Sequence, residues 1–260
     1  DMMTARPLEI KMFPCLFDNY GFLIHDAEAN LTATIDTPEV SAIQDALTQQ
    51  KWQLTHIINT HHHFDHAGGN LELKRKTDCT ILGPSMDQQR IPGIDVAIEH
   101  REEFKFGNHE VVCYHTPGHT TGHVVYHFVN EKVAFVGDTL FAMGCGRLFE
   151  GTAEQMWSSL QLIMEWPDDT LLYCAHEYTQ SNAEFALTVE PENPELIQRK
   201  AKVDLMRSNN QPTVPTKVGI EKKTNPFLRP NSEEIKINLK MTQASDTEVF
   251  AEIRKRKDNF

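Results

Sequence analysis

The sequence predicts an α/β domain that reaches to about residue 178, followed by a smaller helical domain to residue 260. Three observations carry this. Short apolar runs of strand character recur up to "LLYCAHE" (171–177), interleaved with stretches of helical periodicity. Beyond residue 178 no run of that strength follows, and amphipathic helical stretches take over. At 40% hydrophobic and 24% charged residues the composition is that of a globular protein, with no apolar run near the ~18 residues of a membrane span.

In chain order, "YGFLIHD" and "LTATIDT" (residues 20–37) read as two strands joined by a short turn. "PEVSAIQDALTQQ" (38–50) opens on Pro and repeats Val40, Ile43, Ala46 and Leu47 at helical spacing. "LTHIINT" is a short strand run that ends directly in a histidine cluster, and "AGGNLELKRK" reads as the start of a helix. Strands are then expected at "CTILG", "DVAIE", "EVVCYHT", "HVVYHFV", "KVAFVGD" and "LLYCAHE", with a helix over 152–166 before the last. In the second domain "QSNAEFALTVE" and "PELIQRKAKVDLMRSN" are helical, parted by a Pro/Asn turn at 191–194. The four prolines of "NQPTVPTKVGIEKKTNPFLRP" predict a linker draped over the surface. Ser245 and Glu248 form a capping-box pattern ahead of the last helix.

The net charge of −12 argues against attraction of the whole protein to nucleic acid or to an anionic membrane. Residues 1–24 contain Arg6, Glu9, Lys11 and Asp18, so they lack the character of a signal or transit peptide and a cytoplasmic location is expected. The five cysteines are widely spaced, odd in number and without a CxxC pair, which speaks against a disulfide framework or a thiolate zinc site. Cys145 in "GCGR" reads as packing beside a tight loop.

The chemistry concentrates in "THHHFDHAGG" (60–69), where His61, His63, Asp65 and His66 form an H-x-H-x-D-H pattern. Imidazole and carboxylate donors suit zinc, iron or manganese. His61 and His63 project the same way in extended geometry and His62 the opposite way. Asp65 and His66 follow at a turn and do not easily crowd onto the same ion, so the spacing suggests two neighbouring metals. His119, Asp138 and His176 each follow the end of another strand run, where loops of an open α/β sheet gather ligand sites. Asp36, which ends "ATID", is placed to hydrogen-bond a ligand histidine. His62 is read as structural, and so are His25, His56, His100, His109, His115 and His127. His123 either orients the site or caps a strand.

Together with "TPGHTTGH", "GDTLF", "CGRLFEG", "AHEYT" and the terminal "RKRKDNF", this cluster resembles the glyoxalase II family, the hydroxyacylglutathione hydrolases of the metallo-β-lactamase superfamily. The likeness runs nearly end to end. HxHxDH specifies only the superfamily, whereas "GCGRLFEGT", "CAHEYT" and the basic C-terminus are specific to its thioesterase branch. The resemblance implies a four-layer αββα metallo-β-lactamase sandwich over residues 1–178 and a helical, substrate-binding C-terminal domain over 179–260. It implies two divalent metal ions, zinc first and iron or manganese as alternatives. His61, His63 and His119 would bind one, Asp65, His66 and His176 the other, and Asp138 would bridge both.

The implied reaction is hydrolysis of S-(2-hydroxyacyl)glutathione, S-D-lactoylglutathione above all, to a 2-hydroxy acid and glutathione, the last step of methylglyoxal detoxification. A metal-bridging hydroxide is the expected nucleophile, with Asp65 and Asp138 as the carboxylates that hold the catalytic metals. Arg147, Tyr178, Arg254 and Lys257 would receive the glutathione, and Arg254 and Lys257 share a face of the terminal helix. Phe149 stands where many relatives carry a tyrosine, so one hydroxyl contact is missing, and Arg147 replaces a lysine found in some members. A monomer acting on a small-molecule thioester, with no nucleic-acid or membrane partner, is the resulting expectation. Two other readings keep the ligand pattern: hydrolysis of a β-lactam or a phosphodiester, and a metal-buffering or interaction protein without catalysis. The acidic charge weighs against the phosphodiester version, the β-lactam version leaves the basic-ended helical domain unexplained, and the full ligand set with the substrate-binding residues beside it weighs against a protein without catalysis. A sulfur dioxygenase relative would use one iron and should lack the complete second ligand set.

Overall fold

The computed structural model of the protein describes residues 7–260, so Arg6 lies outside it. The chain divides into two compact units. One comprises the residues up to His115 together with Gly122–Gly137, the other Thr116–Thr121 together with Asp138–Phe260.

The first unit opens with an antiparallel hairpin of β1 (Glu9–Cys15) and β2 (Asn19–Asp26), in register from Glu9 opposite His25 to Cys15 opposite Asn19. β3 (Leu31–Ile35) pairs antiparallel with β2, and β4 (His56–Ile58), β5 (Thr80–Pro84) and β6 (Val96–Ile98) extend the sheet in parallel. The crossovers that parallel pairing requires are α1 (Val40–Gln50) between β3 and β4, and α2 (Phe64–Ala67) with α3 (Asn70–Thr77) between β4 and β5. Every residue of β2 is buried, because alternate side chains serve opposite layers. Leu23 joins Ile43 and Leu47 of α1, Leu73 of α3, Ile57 and Ile81 in one apolar cluster. Phe22, on the other face, meets Phe135 edge to face with ring centroids 5.5 Å apart.

Phe135 belongs to a second, antiparallel group of strands: β7 (Glu103–Phe106), β8 (His109–His115), β9 (Val124–Phe128) and β10 (Val133–Gly137). Tyr126 of β9 donates its hydroxyl to the Asn59 carbonyl at 2.6 Å, one residue past β4. Burial pushes this phenol well above its usual range, so it stays a donor.

The second unit contains a small hairpin of β11 (Leu140–Phe141) and β12 (Gly144–Cys145), then α4 (Ala153–Met164), whose Thr152–Gln155 capping box is formed. β13 (Leu171–Cys174) pairs antiparallel with the later β14 (Thr216–Lys217). Around them lie α5 (Thr179–Val189), α6 (Pro194–Ser208), α7 (Val218–Thr224), α8 (Glu233–Asn238) and α9 (Asp246–Asp258). Ser245 and Glu248 complete their predicted capping box at α9. Phe250 of α9 packs on Trp157 of α4 and on Phe227, and Phe227 stacks on Phe185 of α5.

The stretch expected to drape over the surface does the opposite. Val214, Val218, Glu221, Thr224, Asn225, Phe227 and Leu228 are buried in the second unit. Its polar residues sit inside because they satisfy one another and the backbone. Glu221 accepts from the Met143 amide at 2.8 Å, from Thr216 Oγ1 at 2.5 Å and from Asn225 Nδ2 at 3.1 Å, and pairs with Arg199 at 2.7 Å. Pro226 opens a short 3₁₀ turn capped by the Asn225 side chain, so the proline starts structure rather than interrupting it.

Candidate metal centre

In the first unit the cluster begins where β4 stops, and a single carboxylate organises it. Asp36, at the end of β3, is buried in the left-handed region at φ 63°, a conformation that Asp tolerates better than most residues. It accepts from the Thr60 amide at 2.7 Å, from Thr60 Oγ1 at 2.7 Å and from Asn59 Nδ2 at 3.3 Å, and it meets His66 Nδ1 at 2.8 Å. An ionised carboxylate only accepts, so His66 carries its proton on Nδ1 and presents the Nε2 lone pair. Thr60 gives its one hydroxyl proton to Asp36. Toward His61 Nδ1, 2.9 Å away, that oxygen must therefore accept, which fixes His61 in the same tautomer.

His63 lies edge to face against His61 with centroids 4.9 Å apart, and His66 lies 4.1 Å from His61. His123 stacks on His61 at 4.5 Å, a contact that suits an orienting role. Gly137 makes room for this stack: its φ is 53°, and a Cβ there would come 2.8 Å from His123 Nε2 and 2.9 Å from Thr60 Oγ1. Asp65 accepts from Asn19 Nδ2 at 3.1 Å, and its Oδ2 lies 3.4 Å from His66 Nε2. His62 turns to Asp87, 3.5 Å away. Asn19 and Thr60 were not singled out from the sequence. Thr60 touches the cluster in sequence and could have been, whereas nothing at Asn19 signals its distant partner.

In the second unit Asp138 is the centre. Its Oδ2 lies 3.3 Å from His119 Nε2, and its Oδ1 lies 3.3 Å from His176 Nε2. His119 Nδ1 donates to the Arg147 carbonyl at 2.8 Å, which again leaves Nε2 as the donor atom. Gly146 permits that approach, because a Cβ would overlap the Asp138 carbonyl oxygen and come 2.9 Å from His119 Nδ1. The loop bearing His119 is pinned by Ser159 of α4, which donates to the Pro117 carbonyl at 2.8 Å, and by the Gly151 amide, which donates to the Gly118 carbonyl at 3.0 Å. Tyr178 lies flat on His176 with centroids 4.7 Å apart, and Phe141 meets His176 edge on at 5.7 Å.

These spacings test whether the residues fit metal ions. Two ligand atoms about 2.1 Å from one tetrahedral ion lie about 3.4 Å from each other. The 3.3–3.4 Å separations at His119–Asp138, His176–Asp138 and His66–Asp65 match that edge and exceed an ordinary hydrogen bond. The donors are imidazoles and carboxylates, with no thiolate among them, a set suited to divalent zinc, iron or manganese.

The residues expected to receive the substrate divide into two kinds. Arg147 is exposed, Tyr178 is partly exposed, and Lys257 is half-buried. The Lys257 ammonium is held below its usual range, first by burial and then by the charges of Arg254 and Arg147, so three cations converge there. Arg254 is buried and already engaged. It donates to the Cys145 carbonyl at 2.7 Å, pairs with Asp258 at 2.8 Å, and lies over the Phe227 ring at 5.0 Å. All five cysteines are buried and unpaired. Desolvation pushes the Cys145 thiol up to about 11, which keeps it protonated and inert as a nucleophile.

The C-terminal stretch 177–260 matches the description "Hydroxyacylglutathione hydrolase C-terminus", and residues 37–176 match that of the metallo-β-lactamase superfamily. Hydroxyacylglutathione hydrolases of Maricaulis maris and Rhizobium meliloti are 52% and 53% identical to the chain over 253 residues, covering 97% of it and 99% of each relative. The chain belongs to the hydroxyacylglutathione hydrolase family. In this chain the metallo-β-lactamase region and the C-terminal region follow one another, and all seven expected metal ligands fall within the first. Its fold is that of the metallo-β-lactamases. ETHE1 from Myxococcus xanthus superposes with a TM-score of 0.67 at 24% identity, over 95% of this chain and 90% of that one. The BLEG-1 B3 metallo-β-lactamase gives a TM-score of 0.65 at 20% identity, over 85% of this chain and 100% of that one. Among the described residues no helix is long and apolar enough to cross a membrane.

Proposed function

We propose that the chain is a binuclear metallohydrolase that cleaves the thioester of S-(2-hydroxyacyl)glutathione, S-D-lactoylglutathione foremost, giving a 2-hydroxy acid and glutathione. Family membership supports the substrate class. The observation that carries the two-metal reading is the double use of Asp138, whose two oxygens each stand one coordination edge from a different imidazole. In this reading His61, His63 and His119 would hold one ion, and Asp65, His66 and His176 the other, and Asp138 would serve both. Two divalent ions, zinc first, would supply a polarising Lewis acid and an activated water at neutral pH.

The chain's own residues then do the following. Asp138 would offset the repulsion between two neighbouring dications. Asp36, through His66 and Thr60, keeps the imidazoles in their donating tautomer. Arg147 and Lys257 attract the two carboxylates of glutathione, and Tyr178, braced on His176, offers a hydroxyl at the same end. Arg254 acts mainly by holding the Cys145–Gly146 carbonyls in place, with its charge felt at Lys257. The departing thiol ionises near pH ~8.5, so expulsion demands no strong general acid from the protein. We assign catalysis to residues 1–178, and substrate binding to the helical region 179–260 through Lys257 together with Arg147 and Tyr178 of the catalytic region. A cytoplasmic location fits five unpaired cysteines.

The test is a thiol-release assay on metal-replete protein with S-D-lactoylglutathione, run beside elemental analysis. Turnover with about two metal equivalents supports the reading. Protein that leaves this thioester intact but cleaves nitrocefin or RNA would sink it.

A further inference from the structure

The second unit carries a cavity of about 620 Å³ that the hydrolytic site does not use. One wall is a single face of α6, where Glu195, Arg199, Lys202 and Met206 recur at helical spacing. The other wall comes from the segment around β14 and from α7, and brings Lys217 and Lys223. Four cations thus line one concavity in a chain whose net charge is −12.

The arrangement at its base is fixed. Arg199 donates to Thr224 Oγ1 at 2.7 Å and to Thr216 Oγ1 at 3.0 Å, and its guanidinium pairs with the fully buried Glu221 at 2.7 Å. Glu221 offsets the charge of Arg199, which leaves three lysines facing one carboxylate, Glu195. That carboxylate lies 3.9 Å from Lys223, an exposed pair worth little in water. Lys202 and Lys217 have no carboxylate partner among the described residues. Val203, Met206 and Ile220 place apolar surface between the charges. A volume within the range of about 300–1,000 Å³ typical of small-molecule sites is far more than a bare phosphate fills.

We propose that this cavity is a binding site for a small organic dianion, with its two charges met by Lys202 and Lys217 and its apolar body laid over Met206 and Ile220. Convergent lysines on low-dielectric walls focus a positive potential that the acidic remainder of the chain does not supply. Two common sources of such a ligand, a phosphate ester and a dicarboxylate, share this chemistry.

The test is calorimetric titration of the metal-replete full chain with phenyl phosphate and, separately, with adipate, at low and at high salt. Saturable binding of at least one probe with Kd below about 1 mM, weakened by salt, is expected, and the stronger probe identifies the source. The double variant Lys202→Ala/Lys217→Ala changes two exposed side chains, and should weaken that binding by about tenfold or more while thioester hydrolysis stays unchanged. Lys105→Ala, in the first unit, should leave the binding as it is. Equal affinity in the double variant and the parent, or failure of both probes to bind the parent below about 10 mM, would overturn the proposal.

Discussion

The two clusters of candidate metal ligands, one in each unit, are held by different means. In the first unit the ligands sit in six consecutive residues, and a buried carboxylate orients them: Asp36 binds His66 directly and reaches His61 through Thr60. In the second unit the ligands come from three separate loops, and His119 is oriented by a main-chain carbonyl, that of Arg147. A carboxylate partner makes an imidazole a stronger ligand, and any side-chain substitution can remove it. A carbonyl partner lends less charge but survives substitution of the residue that carries it. The first cluster is therefore vulnerable at Asp36, a residue outside the candidate ligand set, whereas the orientation of His119 in the second survives substitution of the Arg147 side chain.

Asp138→Ala should cause the largest loss, because both ions lose a donor. Metal content by elemental analysis should fall from about two equivalents to below one, and activity should fall with it. Asp36→Asn and Arg147→Ala set the two halves against each other. Asn tolerates the left-handed backbone at position 36 but cannot give the charge, so metal affinity should fall by about 10–100-fold, measured by competition with a chelator. Arg147→Ala keeps the carbonyl that holds His119, so metal affinity should stay and only KM should rise. Loss of metal from the Arg147 variant would break the contrast.

Lys257 gives a smaller, pH-dependent effect. Burial and the charges of Arg254 and Arg147 lower its pKa, so its ammonium is lost at a lower pH than that of an ordinary lysine. In the proposed role of Lys257, its charged form attracts anionic glutathione. KM should therefore rise on the alkaline side while kcat changes little, and Lys257→Ala should show a raised KM at neutral pH with that alkaline rise removed. The smallest effect lies furthest from the chemistry. Ser245→Ala removes the cap of α9 and should cost about 1 kcal/mol, a fall of about 2–4 °C in Tm with metal content unchanged.

The same contrast explains what could be read in the sequence. The residues that cluster were legible because each follows an apolar run, and His61, His63, Asp65 and His66 lie together in sequence. Asp36 was expected to hydrogen-bond a histidine of the cluster because it too ends a strand, and it meets His66 at 2.8 Å. Asn19 was not found, because its contact with Asp65 depends on the β1–β2 hairpin, and β1, with Pro14 near its end, does not read as a strand. The segment from 210 to 230 misled for a related reason. Prolines, Asn and Thr have the composition of a loop, and only the tertiary network around Glu221 shows that they are interior.

The buried cysteines have a consequence for an enzyme whose product is a thiol. Thiol–disulfide exchange runs through the thiolate, and burial raises Cys15, Cys113 and Cys174 to about 12 and Cys145 to about 11. At pH 7 a thiol of that kind is ionised in only about one part in 10⁴ to 10⁵. Glutathione disulfide, formed when released glutathione is oxidised, meets no reactive sulfur at Cys15, Cys113, Cys145 or Cys174. The catalyst can therefore work through swings in cellular redox balance without becoming glutathionylated at these four sites.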